Sequence, residues 1–464
     1  MHRPSAIILV LFAPALASAQ EEGGVVTLTR AMAIQRVLDE NPELRANQAD
    51  VVIAQARTKQ VDAAKYPSID VTVGVASSLA ARNSDPDENG VRSERASYGE
   101  FDIGQLRPAF LGRLTAIQPI HTFGKIGLRE EAADAALEAA RAQGRIGAAD
   151  VLVQVAMLYE SHLYAKDILF FVKDIKSVAG RSIEETEARL EVGAFDVTPQ
   201  DLLRLKTALG AAILIENFAQ AAISQTAEGL RAYLAYPPGT RIQTQEDYLD
   251  PVNDEPTALE GLIALARDQR PELVALAQGI KAYDKLADAE YADWFPNIFA
   301  LGFVSGAWTP DRDQQQSRFV VDPLNHFVAG ALVGAQWKIQ WDTATHRAAE
   351  IRAEAFRLQQ LEAWASTGLP AEVNRYHREV VRARADVEQL KITLPVTQEW
   401  VVRASADYAA GFDDSRGVTD AVAAFVTMKN NQLDAVYRLN LNLAELAKAT
   451  GTLGRPQASL YPGE

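Results

Sequence analysis

The 464-residue chain contains no cysteine. That excludes a disulfide framework, and it excludes a lipid anchor attached through an N-terminal cysteine. Any hold on a membrane must therefore come from the protein's own surface. Positive charge is also in deficit: 46 Lys and Arg face 61 Asp and Glu, for a formal charge of −15. A phosphate backbone needs a basic footprint, so nucleic acid is excluded as a partner. Histidines number only 6 and are scattered without ligand spacing, so no metal site is expected. There is no Gly-rich phosphate loop, no G-x-S-x-G and no paired-carboxylate pocket, so neither an enzyme nor a cofactor is expected. Beyond the first residues no run of 18 apolar residues occurs, so no membrane-spanning helix is expected. Alternating barrel strands, which give only a weak hydropathy pattern, remain possible.

The opening residues have a different purpose. Arg3 provides a positive start, Ile7 to Phe12 an apolar core, and Ala17-Ser18-Ala19 a cleavage site. Together they predict a signal peptide over 1–19 and export of 20–464.

What the sequence does have is a repeat. Asn41-Pro42-Glu43-Leu44 opens a helical run that stops at Pro67; Arg270-Pro271-Glu272-Leu273 opens another that stops at Pro296. The prolines of each pair lie 25 residues apart. Gln118 and Gly193 lie 75 apart, as do Gln336 and Gly411. These spacings divide the chain into repeat one, 27–236, and repeat two, 256–450. Between and after them come a linker at 237–255 and a short tail at 451–464.

Each repeat changes period after its proline. Ile69, Val71, Val73 and Val75 alternate with Ser68, Asp70, Thr72 and Gly74, and Phe299, Leu301 and Phe303 alternate with smaller residues. Phe327, Ala329, Ala331, Val333 and Ala335 alternate with His326, Gly330 and Gly334. A fourth, less regular strand is expected over 112–120, blurred by Ile117 and Pro119. Polar loops are expected over 81–110 and 309–325. Trp308, Trp337 and Trp341 cluster near strand ends, as in an interfacial aromatic girdle. A soluble half-buried sheet is the alternative, but four strands between very long helices make a poor one.

Those helices are expected over 126–190 and 346–408, the second kinked or interrupted at Gly368-Leu369-Pro370 and at Pro395. About 65 residues at 1.5 Å rise gives roughly 100 Å. The return limbs, 199–234 and 417–449, are half as long. The first limb and the helix that begins at Pro42 together match one long helix, which predicts a wall of one continuous and one broken strand of helix.

The paired N-P-E-L and R-P-E-L starts and the Pro67 and Pro296 strand entries carry a family resemblance. So do Gln118-Pro119-Ile120-His121-Thr122-Phe123-Gly124-Lys125 and the turns Val192-Gly193-Ala194 and Ala410-Gly411-Phe412. With these features the mature chain resembles the TolC-like outer-membrane efflux proteins. The resemblance implies an α+β membrane protein and a homotrimer. Four strands from each chain would build a barrel of about twelve strands through the outer membrane, continued by a long α-helical periplasmic tunnel. It implies a passive exit duct working with a periplasmic adaptor protein, an inner-membrane transporter and outer-membrane lipids. The cargo implied is small molecules such as drugs, or alternatively polypeptides in type I secretion. The six turn residues are the implied adaptor-docking tips. Asp413, Asp414 and Asp420, beyond the second turn, are implied as acidic residues of the periplasmic entrance; a helix-capping role for Asp413 or Asp414 is the plainer reading. A purely periplasmic coiled-coil scaffold is a rival that has no use for the four strands.

Overall fold

A computed structural model describes residues 24–79, 81–82, 97–98, 106–195, 197–252, 258–312, 322–339 and 342–453. The expected signal peptide, most of the loop 81–110, Trp341 and residues 454–464 of the tail lie outside them. The described chain forms two compact units. The first comprises the start of the chain to Gln48, Gly144–Pro271 and Ser366 onward; the second comprises Ala49–Gln143 and Glu272–Ala365.

The repeat is visible in element lengths. Repeat one runs β1 (Val25–Leu28), α1 (Arg30–Glu40), α2 (Pro42–Ala63), β2 (Ser68–Leu79), the two-residue strands β3 (Ala81–Arg82) and β4 (Ser97–Tyr98), β5 (Leu106–His121), α3 (Lys125–Glu191) and α4 (Pro199–Tyr233). Repeat two follows β6 (Arg241–Thr244) and runs α5 (Leu259–Gln269), α6 (Pro271–Tyr291), β7 (Asn297–Trp308), β8 (His326–Gln336), α7 (Thr343–Ala409) and α8 (Ser415–Ala449). Helices α3 and α7 are both 67 residues long, and α4 and α8 are both 35. Pro42 and Pro271 each occupy the first helical position, where a missing N–H costs nothing.

The second unit holds a four-stranded antiparallel sheet in the order β2-β5-β7-β8. Its register places Val71, Leu114, Val304 and Ala329 side by side, and Val75, Phe110 and Trp308 in another row. This face is apolar and exposed across its width: Ile69, Val71, Val73, Val75, Leu114, Trp308, Phe327 and Val333 all face outward. The other face carries Asp70, Thr72, Arg113, Thr115, Ser305 and His326. Phe299 and Phe303 share that polar face and lie directly opposite Gly334 and Gly330. A Cβ at Gly330 would sit 2.8 Å from the Phe303 ring. The glycines thus make room for the rings, and the rings cover backbone that glycine leaves bare.

Strand β5 corrects the expected boundary. It begins at Leu106 rather than near Gly112, so the loop is shorter than 81–110. Arg107 and Pro108 hide the period in sequence, but pairing with β2 continues out to Leu79 opposite Leu106. Pro119 sits at a register shift in the pairing with β7, where a missing donor is tolerated.

Of the kink or interruption expected in α7, the interruption is absent: the helix runs through Pro370 and Pro395. Each proline deprives the carbonyl four residues earlier of its donor. Those carbonyls belong to Ser366 and Lys391, both exposed, so water can serve them. Buried Leu369 and Val373 tie the first of these turns to the core. Among the described residues α4 alone is long and apolar enough to cross a membrane, by length and composition only, with mean hydropathy 1.2 over 18 residues and 11% of that window buried. Its Ala-rich sequence reaches this value without any uninterrupted apolar run.

In the first unit, β1 and β6 pair in parallel, a contact too short to show a period in sequence. Thr29 caps α1 by accepting from Met32 N at 3.1 Å. Asn41, 3% exposed, joins two helices end to end. Its Oδ1 accepts from Glu43 N and Leu44 N at the start of α2, while its Nδ2 donates to Tyr233 O at the end of α4 (2.8 Å). This is the joint of the broken limb predicted from length. Repeat two uses different chemistry at the matching place: Gly451, with φ +72°, packs against Gln269, and a Cβ there would lie 2.7 Å from the Gln269 carbonyl oxygen.

A buried polar knot fastens the linker to this unit. Arg30 forks onto Glu160 at 2.7 and 3.0 Å, and Glu160 is fully buried. Asn440 Nδ2 donates to Glu160 (2.8 Å) and to Asp250 O (3.0 Å), while its Oδ1 accepts from Val252 N. Tyr159 Oη donates to Leu28 O at 3.0 Å and also bonds Glu246. Leu433, Val436, Leu439 and Leu443 of α8 surround the knot in sequence and are buried with it.

Candidate functional site: the paired helix reversals

Both reversals lie within the first unit and are built alike. At the end of α3, Gly193 takes φ +69°, and its N–H and that of Ala194 donate back to Leu190 O and Arg189 O at 3.1 and 3.0 Å. At the end of α7, Gly411 takes φ +77°, with Gly411 N to Tyr408 O at 3.1 Å and Phe412 N to Asp407 O at 2.8 Å. This left-handed closure satisfies the last helical carbonyls and favours glycine. Val192, Phe195 and Phe412 are left exposed at the turns. Helix α4 then starts with a capping box: Thr198 and Asp201 bond each other's backbone N–H groups, with Pro199 at the first turn.

The two reversals are bound to one another. Tyr408 Oη lies 2.6 Å from Thr186 Oγ1, and Arg189 donates to Tyr408 O and Ala409 O, both at 3.4 Å. Buried Ser415, at the start of α8, donates to Asp201 Oδ1. Val197, Ala404, Tyr408, Val418 and Ala421 form a small apolar core beneath, against which Leu190 and Ala194 pack. Burial pushes the Asp201 carboxyl up, but bonds from Ser415 and Thr198 and the nearby Arg204 outweigh it and hold Asp201 below the usual carboxylate range.

The expected acidic residues divide by role. Asp414 is the N-cap of α8, accepting from Arg416 N (2.9 Å) and Gly417 N (3.3 Å). Asp413 accepts from Asp414 N and sits so close to Gly417 that a Cβ there would collide with its carboxylate. Asp420 stands exposed on the α8 surface, 3.7 Å from Arg416, a pairing worth little in water. Thr186, Arg189, Asp201, Tyr408 and Ser415 were not among the residues expected from sequence. Only the Thr198–Asp201 capping spacing could have drawn attention to any of them.

Tyr408→Phe tests this tip network. Thr186 keeps a bond to Ser182 O at 2.7 Å, so no buried hydroxyl is orphaned and the expected cost is about 1 kcal/mol. Faster amide exchange confined to the ends of α3, α4, α7 and α8 would show it. Unchanged exchange there would deny the contact a role.

A four-stranded sheet with an exposed apolar face, two edges unpaired among the described residues and 67-residue helices defines an outer-membrane channel subunit, not an enzyme. Comparison with known proteins agrees. The family model for outer membrane efflux proteins matches residues 33–235 and 262–452, one match per repeat. The chain is 25% identical over 429 residues to protein CyaE of Bordetella pertussis, spanning 91% of this chain and 84% of that protein. Its fold matches CusC with a TM-score of 0.73 at 17% identity, over 94% and 95% of the two chains. It matches the Campylobacter jejuni CmeC outer membrane channel with a TM-score of 0.72 at 13% identity, over 96% and 92%. The open state of the Neisseria gonorrhoeae MtrE outer membrane channel gives 0.69 at 16% identity, over 93% and 91%. The chain belongs to the outer membrane efflux protein family. As a member of that family it is an outer membrane protein.

Proposed function

We propose that three copies of this chain form the exit duct of a tripartite pump for small molecules, docking a periplasmic adaptor through the paired reversals and reaching an inner-membrane transporter through it. The reversals carry this reading. They are two matched turns on helices of equal length, fastened into one tip and presenting Val192, Phe195 and Phe412 to solvent. Trimer formation is supported by the unpaired outer edges of β2 and β8, which need partners where no water reaches. It is supported also by α4, whose Leu203, Leu214 and Phe218 are exposed. Three copies would bring each Asp420 near two others and line the entrance with carboxylates. The family description speaks of efflux and names no cargo, so small molecules are this proposal's own choice and type I protein secretion is its alternative.

Absence of native cysteine makes the test clean. A Val192→Cys or Phe412→Cys protein, crosslinked in cells, should capture an adaptor, and deletion of the gene should raise intracellular drug accumulation. Capture of nothing at either position contradicts docking at the tips. Unchanged drug accumulation with loss of a secreted polypeptide would assign the duct to type I secretion.

A further inference from the structure

The chain is strongly acidic, yet a patch at one end of the sheet is not. There β7 begins at Asn297 and β8 ends at Gln336, on the side from which α3 and α7 depart. A pocket of about 330 Å³ opens between these elements, within the second unit. Lys125, Lys338 and Arg347 line it together with Asp293, Trp294 and Trp337. Lys125 is nearly buried and fixed, donating to Phe295 O (2.7 Å) and Asn297 Oδ1 (2.9 Å) with Asp293 at 3.7 Å. Arg129 adds a fourth cation beside the carboxylates, 3.4 Å from Glu290 and 3.8 Å from Asp293. Arg347 is half exposed and reaches Glu290 only at 3.7 Å. Lys338 is exposed and makes no ion pair among the described residues. Three cations, Lys125, Lys338 and Arg347, therefore line the pocket with one carboxylate, Asp293, a local excess of positive charge.

The surroundings are amphipathic. Trp337 donates its indole N–H to Trp294 O at 3.0 Å, which fixes its ring while leaving it exposed. Phe295 stacks on Phe123 at 5.4 Å, and Trp294, Phe295, Tyr66 and Ile339 are all exposed. Such aromatic groups sit at the headgroup level of a bilayer. Beyond them the outward face of the sheet presents Val333 and its neighbours to the acyl chains.

We propose that this pocket binds the phosphodiester headgroup of a phospholipid from the periplasmic leaflet of the outer membrane. Arg347 supplies a planar fork and Lys338 a mobile point charge for the phosphate oxygens, while Lys125 holds the pocket floor. Trp294 and Trp337 flank the glycerol region. A free phosphate would use the cations but not the exposed aromatic rim, which is why the lipid is the occupant chosen here.

The test uses the intact trimer in detergent, titrated with phosphatidylglycerol and observed by native mass spectrometry. Wild type should carry up to one tightly held lipid per chain. Lys338→Gln with Arg347→Gln should weaken that binding about twenty-five-fold, roughly fivefold per cation. Should the double variant fail to assemble, Lys338→Gln alone alters an exposed, unpaired side chain and should still give about fivefold. Equal lipid binding in wild type and variants overturns the proposal. So does absence of bound lipid from wild type, as would follow if a second copy covered the pocket. Displacement of the lipid by millimolar inorganic phosphate would overturn it in favour of a simple phosphate site.

Discussion

Replacing Gly411 with valine is expected to abolish export while the trimer still assembles. At φ +77° a β-branched side chain meets its own backbone, a strain of about 1–3 kcal/mol that the turn escapes only by reshaping. Reshaping would break the bonds from Gly411 N to Tyr408 O and from Phe412 N to Asp407 O, and so move Phe412. Gly193→Val should do the same at the first reversal. Nothing lies within 4 Å of a Cβ at Gly193, so the whole effect there is backbone strain rather than collision. Neither residue belongs to the sheet or to the buried knot, and a heat-labile trimer band on a non-boiled gel should persist. Unchanged export by both variants, each present as trimer, would remove the reversals from the docking site.

The largest stability effect is expected at the knot. Glu160→Ala leaves the Arg30 guanidinium, whose side chain is only 14% exposed, without the carboxylate it forks onto. It also takes away one of the two acceptors of Asn440 Nδ2, leaving Asp250 O. Removing one partner of a buried ion pair costs about 3–5 kcal/mol, because the remaining charge stays desolvated. The denaturant midpoint should fall accordingly, with the linker around Asp250 and Val252 loosening first in amide exchange. By contrast Glu399→Ala, which breaks an exposed pair with Arg403 at 2.6 Å, should change stability by no more than about 0.5 kcal/mol. Equal effects from the two substitutions would show that burial is not what makes the knot matter.

Much of this architecture was legible because the repeat writes it twice. Pro42 and Pro271 mark helix starts, Gly193 and Gly411 mark helix ends, and the 67-residue runs between loop and turn have no competing period. Strands β2 and β8 showed a clean alternation because one face is apolar and exposed while the other carries polar or small residues. Strand β5 did not, since Pro108, Gly112 and Gln118 fall on the apolar face and Leu111 and Ile117 on the polar one. The placement of Phe299 and Phe303 on the polar face depends on Gly334 and Gly330 opposite them, which only the register reveals.

The knot and the tip network were hidden for a related reason. Arg30, Glu160 and Asn440 lie 130 and 280 residues apart, and no local rule connects them. Thr186 and Tyr408, 222 residues apart, read in sequence as ordinary helical positions. Local signals such as caps and turns were readable, whereas side chains made important by partners in the other repeat were not. The prolines of α7 show where a local rule stops: it predicts a kink or an interruption, and the helix continues through both, with Leu369 and Val373 buried beside the first.

The central claim, a barrel-forming channel rather than a helical scaffold, is tested most directly in a planar lipid bilayer. The protein extracted by detergent from the outer-membrane fraction should run as a trimer and, once reconstituted, pass ions in discrete steps. Recovery as a salt-extractable periplasmic rod that inserts into no bilayer and carries no current would contradict the account.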